Sequence, residues 1–282
     1  MAQIKIVTDS TADLPNEVIK KYDIKVVPLK VNFAEESLKD RVEIMPNEFY
    51  KRFTNEKSIP STSQPSPGEF QNVYQSLADE GYCIISIHLS TDLSGTYQAA
   101  QLARSMLPNA NIKIFDSRTV SVGLALLVLT AARAAQEGKS FPEIISLVEQ
   151  TIPKIKIYFI VDTLEYLAKG GRIGHATAFL GSLLNIKPLL AIYDGEIHPV
   201  EKVRGRKKAV SRLVQMVKSE TNNYDSLYYF AHAGNENLFN NVLEKAEAEN
   251  IICKEMLLLG ELGPVVGCHS GPGAVGIAFL KY

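Results

Sequence analysis

Short runs of β-branched and aliphatic residues alternate along this chain with longer segments in which apolar positions recur every three or four residues. In the first half the short runs are IKIVTD, IKVVPLKVNF, YCIISIHL and IKIFDS, each read as a strand. Alternation of strand and helix predicts an α/β fold whose first domain has three layers built on a largely parallel sheet. Helix starts are well marked. Ser66 and Glu69 have capping-box spacing, Pro67 takes the first helical position, and Phe70, Val73, Tyr74 and Leu77 form one apolar face. That places Thr62, Ser63 and Gln64 on the loop entering this helix. Ser94 reads as the N-cap of a helix through GTYQAAQLARSML. The apolar stretch from Val120 to Ala132, interrupted by Ser121, Gly123 and Thr130, is too short for a membrane span and predicts a buried helix.

A second capping box, Ser140 with Glu143, opens a helix that ends near Ile152 and Pro153. The domain boundary is placed there, giving units of residues 1–153 and 154–282. Beyond it, KIYFIVD reads as a strand and TLEYLAKGG as a helix stopped by Gly170 and Gly171. LLAIYDGEIHPVEKVR reads as a hairpin turning at Asp194-Gly195, so the second α/β domain should carry a mixed or antiparallel sheet. A helix near AVSRLVQMVK, a strand at SLYYFAH, a helix at NLFNNVLEKAEAE and strands around EMLLLG and AVGIAFLKY complete it.

Composition narrows the function classes. Thirty Lys and Arg against 31 Asp and Glu leave a net charge of −1, so the overall balance favours neither nucleic acid nor an anionic membrane. Three cysteines, Cys83, Cys253 and Cys268, form no C-x-x-C and no even framework, which argues against structural disulfides and a cysteine zinc site. The opening MAQIKIVTDS lacks a signal-peptide pattern, and a cytoplasmic location is expected. GPGAVG, residues 271–276, matches G-x-G-x-x-G but has only six residues after it, too few for the helix of a dinucleotide site. Phosphate-loop and nucleophile-elbow motifs are absent, and no two histidines share helical metal-ligand spacing. No metal or cofactor is expected. KVRGRKK, residues 202–208, offers phosphate contacts or simply an exposed basic strand end.

Hydroxyl-rich loops recur where predicted strands end or helices begin: Thr8-Asp9-Ser10-Thr11, Ser61-Thr62-Ser63, Ser90-Thr91 with Ser94-Gly95-Thr96, and Asp116-Ser117. Each alone suits a local cap or turn, but their repetition at one sheet edge marks where open α/β sheets bind ligands. Neutral hydroxyls and a helix N-terminus suit a small anion such as a carboxylate, with His269 or Arg204 offsetting its desolvation.

The segments TDSTADLP (8–15), STSQPSPGEF (61–70), DLSGTYQAA (92–100), FDS (115–117), LAKGGRIG (167–174), KVRGRKKA (202–209) and HSGPGAVGI (269–277) together resemble the DegV family over essentially the whole chain. The resemblance implies a two-domain, non-catalytic fatty-acid-binding subunit of a bacterial fatty acid kinase system. Such a subunit holds one long-chain acid between its domains and presents the carboxylate to a separate kinase subunit that brings ATP and magnesium. Thr62 and Ser94 would then bond the carboxylate, with Arg204 and His269 completing the polar network. A further ligand shell is drawn from Asp9, Ser10, Ser63, Gly95, Ser117, Gly170 and Gly171, and the 120–132 helix would form part of the tail's wall. Asp92, which would repel a carboxylate, is expected to point away from it. The Gly170-Gly171-Arg172 segment serves as a ligand loop or kinase contact, or simply stops its helix.

Acid exchange implies transient contact at the membrane surface. One rival reading is a lipid or small-carboxylate hydrolase with Ser94 as nucleophile and His269 as base, which would also need an orienting group and an oxyanion hole. Another is a nucleic-acid-binding regulator using residues 202–208, which the near-neutral charge disfavours.

Overall fold

The computed structural model describes residues 3–55, 58–181, 185–221, 226–251 and 257–281. β1 (Ile4–Asp9) ends in a 3-10 turn, and α1 (Asn16–Lys21) leads to β2 (Lys25–Val27), β3 (Lys30–Asn32) and β4 (Ser37–Lys39). Next come α2 (Pro46–Phe53), β5 (Ser61–Ser63), α3 (Pro67–Asp79), β6 (Cys83–His88), α4 (Thr96–Ser105) and β7 (Ile112–Asp116). Two helices, α5 (Val122–Gln136) and α6 (Phe141–Thr151), precede β8 (Ile155–Ile160), the short α7 (Glu165–Lys169) and the hairpin β9 (Ile186–Tyr193) and β10 (Glu196–Arg204). The chain closes with α8 (Arg206–Glu220), β11 (Ser226–His232), α9 (Glu236–Ala248), β12 (Leu257–Glu261), α10 (Pro264–Ser270) and β13 (Val275–Lys281).

Two main sheets result. β2-β1-β6-β7 is wholly parallel, and β10-β9-β8-β13-β11-β12 is antiparallel except for the β11–β12 pair. Helices α3 and α4 cover the outer face of the parallel sheet through Phe70, Tyr74 and Ala100, and α8 and α9 cover the outer face of the mixed sheet through Leu213 and Val242. Between the sheets lies α5, buried along nearly its whole length as the apolar run requires. Its core joins Ile6 and Ile85 of the parallel sheet to Ile157, Tyr229 and Ala278 of the mixed one. The layers therefore read helix, sheet, helix, sheet, helix, with the central layer shared.

Both capping boxes form, at Ser66 with Glu69 and at Ser140 with Glu143. The hairpin turns where expected, with Asp194 at φ 51° and Gly195 at φ 85°, the paired positive angles that a two-residue hairpin turn demands. IKVVPLKVNF is not one strand. Pro28 has no N–H to continue a ladder, so the segment splits into β2 in the parallel sheet and β3 in a separate antiparallel sheet, β4-β3-β5. Thr62 and Ser63 consequently sit on a strand, β5, rather than on a loop. Of the expected strand EMLLLG, Glu255 and Met256 lie outside the described residues, as do Cys253 and Tyr282. Among the described residues no helix is long and apolar enough to cross a membrane.

Candidate functional site

A cavity of about 310 Å³ lies between the C-terminal edge of the parallel sheet and the inner face of the mixed sheet. Its wall is apolar: Leu29 and Leu89 from the first sheet's loops, Ile157 and Phe159 from β8, Ile192 and Ile197 from the hairpin, and Val265 from α10. Of the apolar stretch beginning at Val120, only the start, Val120 to Val122, reaches the cavity; the rest is packed between the sheets. Hydroxyls on this wall are already engaged. Thr11 Oγ1 donates to Asp9 at 2.5 Å, Ser121 Oγ to Asp13 at 2.6 Å, and Ser270 Oγ to the Gly271 carbonyl at 3.3 Å.

The remaining polar lining is Thr62, Ser63, Gln64, Ser94, Arg172 and His269, and it forms one connected rim. Thr62 Oγ1 lies 2.8 Å from His269 Nε2. His269 Nδ1 is buried without a hydrogen-bond partner among the described residues, and it packs on Gly170, where an added Cβ would come within 2.3 Å of it. Arg172 donates from Nη1 to the Gly170 carbonyl at 2.6 Å and from Nε to the Leu93 carbonyl at 3.0 Å. From Leu93 the rim passes to Ser94 and Gly95, and Gly95 backs so closely on Gln64 that a Cβ would meet its Oε1 at 2.3 Å.

Burial, and then the Arg172 charge, push the His269 imidazole down to about 4, so it is neutral at physiological pH. A neutral ring with its proton on Nε2 donates to Thr62 Oγ1, which leaves the Thr62 hydroxyl proton free to point at an acceptor in the cavity. Such a rim can hold a carboxylate by neutral donors, with the Arg172 guanidinium beside it supplying positive charge.

Sequence-predicted residues fall into two groups. Thr62, Ser63, Ser94 and His269 line the cavity. Ser94 is not the N-cap of α4, a position held by Gly95; its hydroxyl instead lies 2.9 Å from Thr96 Oγ1 and accepts from Thr96 N. Gly95 and Gly170 stand behind the rim, holding space for Gln64 and His269, whereas Gly171, at φ 71°, has open space around it and stops α7. Asp9, Ser10 and Ser117 are buried and turned inward. Asp9 accepts from Thr11, His88 and Leu89, Ser10 Oγ from Leu29 N, and Ser117 bonds both backbone groups of Thr119. Their hydroxyl and carboxylate capacity is spent on shaping the sheet edge.

Arg204 is exposed at the far end of β10 and does not line the cavity. It follows Ile197, which does, by seven residues, roughly 23 Å along a strand. Arg172 lines the cavity instead; its position directly after the Gly170-Gly171 helix stop is the signal in the sequence, and only the fold shows that it turns back onto Leu93. Asp92 is held off the rim by Arg118, 2.6 Å away. Ser94 and His269, the nucleophile and base of a hydrolase reading, bond to Thr96 and Thr62 instead.

Residues 3–282 match the family model described as "Uncharacterised protein, DegV family". A DegV domain-containing protein of Clostridium acetobutylicum is 40% identical over 284 residues, covering 100% of this chain and 99% of that one. The structure resembles a fatty-acid-binding DegV family protein of Thermus thermophilus at a TM-score of 0.93 and 34% identity, covering 99% of this chain and all of the other. It also resembles a stearic acid-binding protein of Eubacterium ventriosum at 0.92 and 30%, over 99% and 98% of the two chains. A shared fold, near-complete coverage in both directions and a family match from residue 3 to the end lead to one conclusion: the chain belongs to the DegV family.

Proposed function

We propose that the chain binds one long-chain fatty acid, its tail in the apolar cavity and its carboxylate at the rim, and presents that carboxylate to a separate ATP-dependent kinase subunit. The observation that carries this reading is the division of the cavity: an apolar wall whose hydroxyls are bonded within the protein, and a polar rim of Thr62, Ser63, Gln64, Ser94, Arg172 and His269. About fifteen methylenes at ~0.8 kcal/mol each would contribute roughly 12 kcal/mol before ordering costs, enough to retain the acid through purification. Fatty-acid binding by the Thermus and Eubacterium relatives supports the ligand class.

Thr62, Ser94 and His269 are the carboxylate contacts in this reading, with Arg172 in the role sequence assigns to Arg204. Residues 1–153 and 154–282 are the two units between which the acid lies. The product of the kinase step is an acyl phosphate, and the protein itself supplies no catalytic group. Acid enters and leaves by transient contact at a membrane surface, and the protein works in the cytoplasm.

Native mass spectrometry of protein purified without added lipid, followed by identification of the released molecule, tests the ligand. A stoichiometric fatty acid, lost in a Thr62→Ala, Ser94→Ala double variant, is the expected result. An apo mass that takes up no fatty acid refutes it. Acyl phosphate formation only when a kinase subunit and ATP are both added tests the presentation step, and turnover by the isolated chain would reverse it.

A further inference from the structure

Away from the rim, His175, Glu196 and His198 bring two imidazoles and a carboxylate together, with one donor atom from each within 4.8 Å of the others. We propose that these three side chains bind a divalent first-row transition metal, Zn²⁺ foremost, on the outer side of the β9–β10 hairpin. The proposal is independent of the acyl ligand.

The backbone builds the cluster from two directions. Glu196 and His198 are two apart on β10, ahead of the bulge at Pro199–Glu201, so the pleat places both on the face opposite Ile197, which lines the cavity. His175 arrives on the 3-10 turn Gly174–Phe179. Gly174 lets that turn lie on the strand: its φ is 52°, and an added Cβ would stand 2.8 Å from the Ile197 carbonyl oxygen. The result is a contact of 3.0 Å between His175 Nε2 and Glu196 Oε2.

A second observation comes from His198. Its Nε2 is buried and has no hydrogen-bond partner among the described residues, an arrangement that leaves a donor or acceptor unmatched. Tyr193 stacks on the same ring at 3.6 Å between centroids and steadies it, and the His175 ring lies over it at 4.7 Å. The His175 side chain is 60% exposed, so it can turn about its Cβ–Cγ bond to bring its nitrogen toward the ion.

Donors around a tetrahedral Zn²⁺ with bonds of about 2.0–2.1 Å stand roughly 3.3 Å apart. One edge of the site, at 3.0 Å, is already near that length, and the others, within 4.8 Å, close by at most about 1.5 Å. Two nitrogens and one oxygen favour Zn²⁺, Ni²⁺ or Cu²⁺ over Mg²⁺ or Ca²⁺, and three protein ligands leave a position for water.

The test is calorimetric titration of ZnCl₂ into the full-length protein after dialysis against a chelator, with MgCl₂ as the comparison ion. Expected are one ion per chain at micromolar affinity, no heat with Mg²⁺, and a rise in Tm of roughly 5 °C at about a hundredfold excess over Kd. Co²⁺ should give the visible absorption of a four-coordinate site. His175→Ala and Glu196→Gln should each weaken Zn²⁺ binding at least tenfold, while circular dichroism shows both variants folded. Absence of Zn²⁺ binding, or binding unchanged in the two variants, overturns the proposal.

Discussion

Thr62 Oγ1 and His269 Nε2 stand 2.8 Å apart although 207 positions separate them in the chain, and their contact ties the small antiparallel sheet to α10. Each group sets the other's chemistry: with the imidazole proton on Nε2 the ring donates, and the hydroxyl is left to donate onward. Thr62→Val, which keeps the shape and removes the hydroxyl, is expected to weaken fatty-acid binding by about 10- to 100-fold, the range for one hydrogen bond to a charged group of ~1.5–3 kcal/mol. Displacement of a fluorescent fatty acid measures it; unchanged affinity would remove Thr62 from the site.

Gly170 gives a second handle on the same ring. Its φ of −74° is ordinary, so alanine strains no backbone there, but the added methyl would meet His269 Nδ1 at 2.3 Å. Gly170→Ala should therefore push the imidazole off Thr62 and lower fatty-acid affinity about tenfold, with an overpacking cost of about 1–3 kcal/mol in urea unfolding. A large loss of stability at unaltered affinity would contradict this.

Asp13 joins the two sheets from within the shared layer. Its carboxylate accepts from Gly263 N at 2.7 Å, Ser121 Oγ at 2.6 Å and Arg41 Nη2 at 3.2 Å, and its carbonyl accepts from Tyr229 OH at 2.5 Å. Arg41 also donates to the Glu261 carbonyl. Removing one partner of a buried pair strands the other, so Asp13→Ala should cost about 3–5 kcal/mol in urea unfolding. A cost below ~1 kcal/mol would show that the network contributes little.

Two buried groups give opposite pH dependences. Burial and then Arg172 lower His269 to about 4, so the unfolded chain takes up the proton first; its contribution to stability is present above ~6.5 and lost as pH falls toward 4. Burial and then Asp13 raise Asp40 to about 7, so the folded chain holds that proton longer; its contribution is present below ~4 and lost as pH rises through 7. Relative to the parent, His269→Gln should gain stability as pH falls from about 6.5 to 4, and Asp40→Asn as pH rises from about 4 to 7. Urea midpoints at several pH values check both, and parallel profiles for parent and variants would rule the assignment out.

Local pattern was enough for much of the fold. Both capping boxes, the buried central helix and the Asp194-Gly195 hairpin depend on neighbours within a few residues, so their signals are complete in a short window. Thr62, Ser63, Ser94 and His269, which line the cavity, are legible as candidates from their loops and from the family resemblance. Where a local rule pointed the wrong way, a long-range partner had intervened: β3 left the parallel sheet to pair with β4 and β5, which put Thr62 on a strand.

The sequence by itself determined the α/β class, the parallel and mixed sheets, and the hydroxyl and imidazole chemistry available to the site, because periodicity, caps and residue type are properties of short segments. Only the tertiary structure decided which of those groups face the cavity. It turned Asp9, Ser10 and Ser117 inward, left Arg204 a strand's length away and folded Arg172 back onto Leu93. Direction of a side chain at a sheet edge depends on what packs behind it, and here that packing comes from residues distant in the chain.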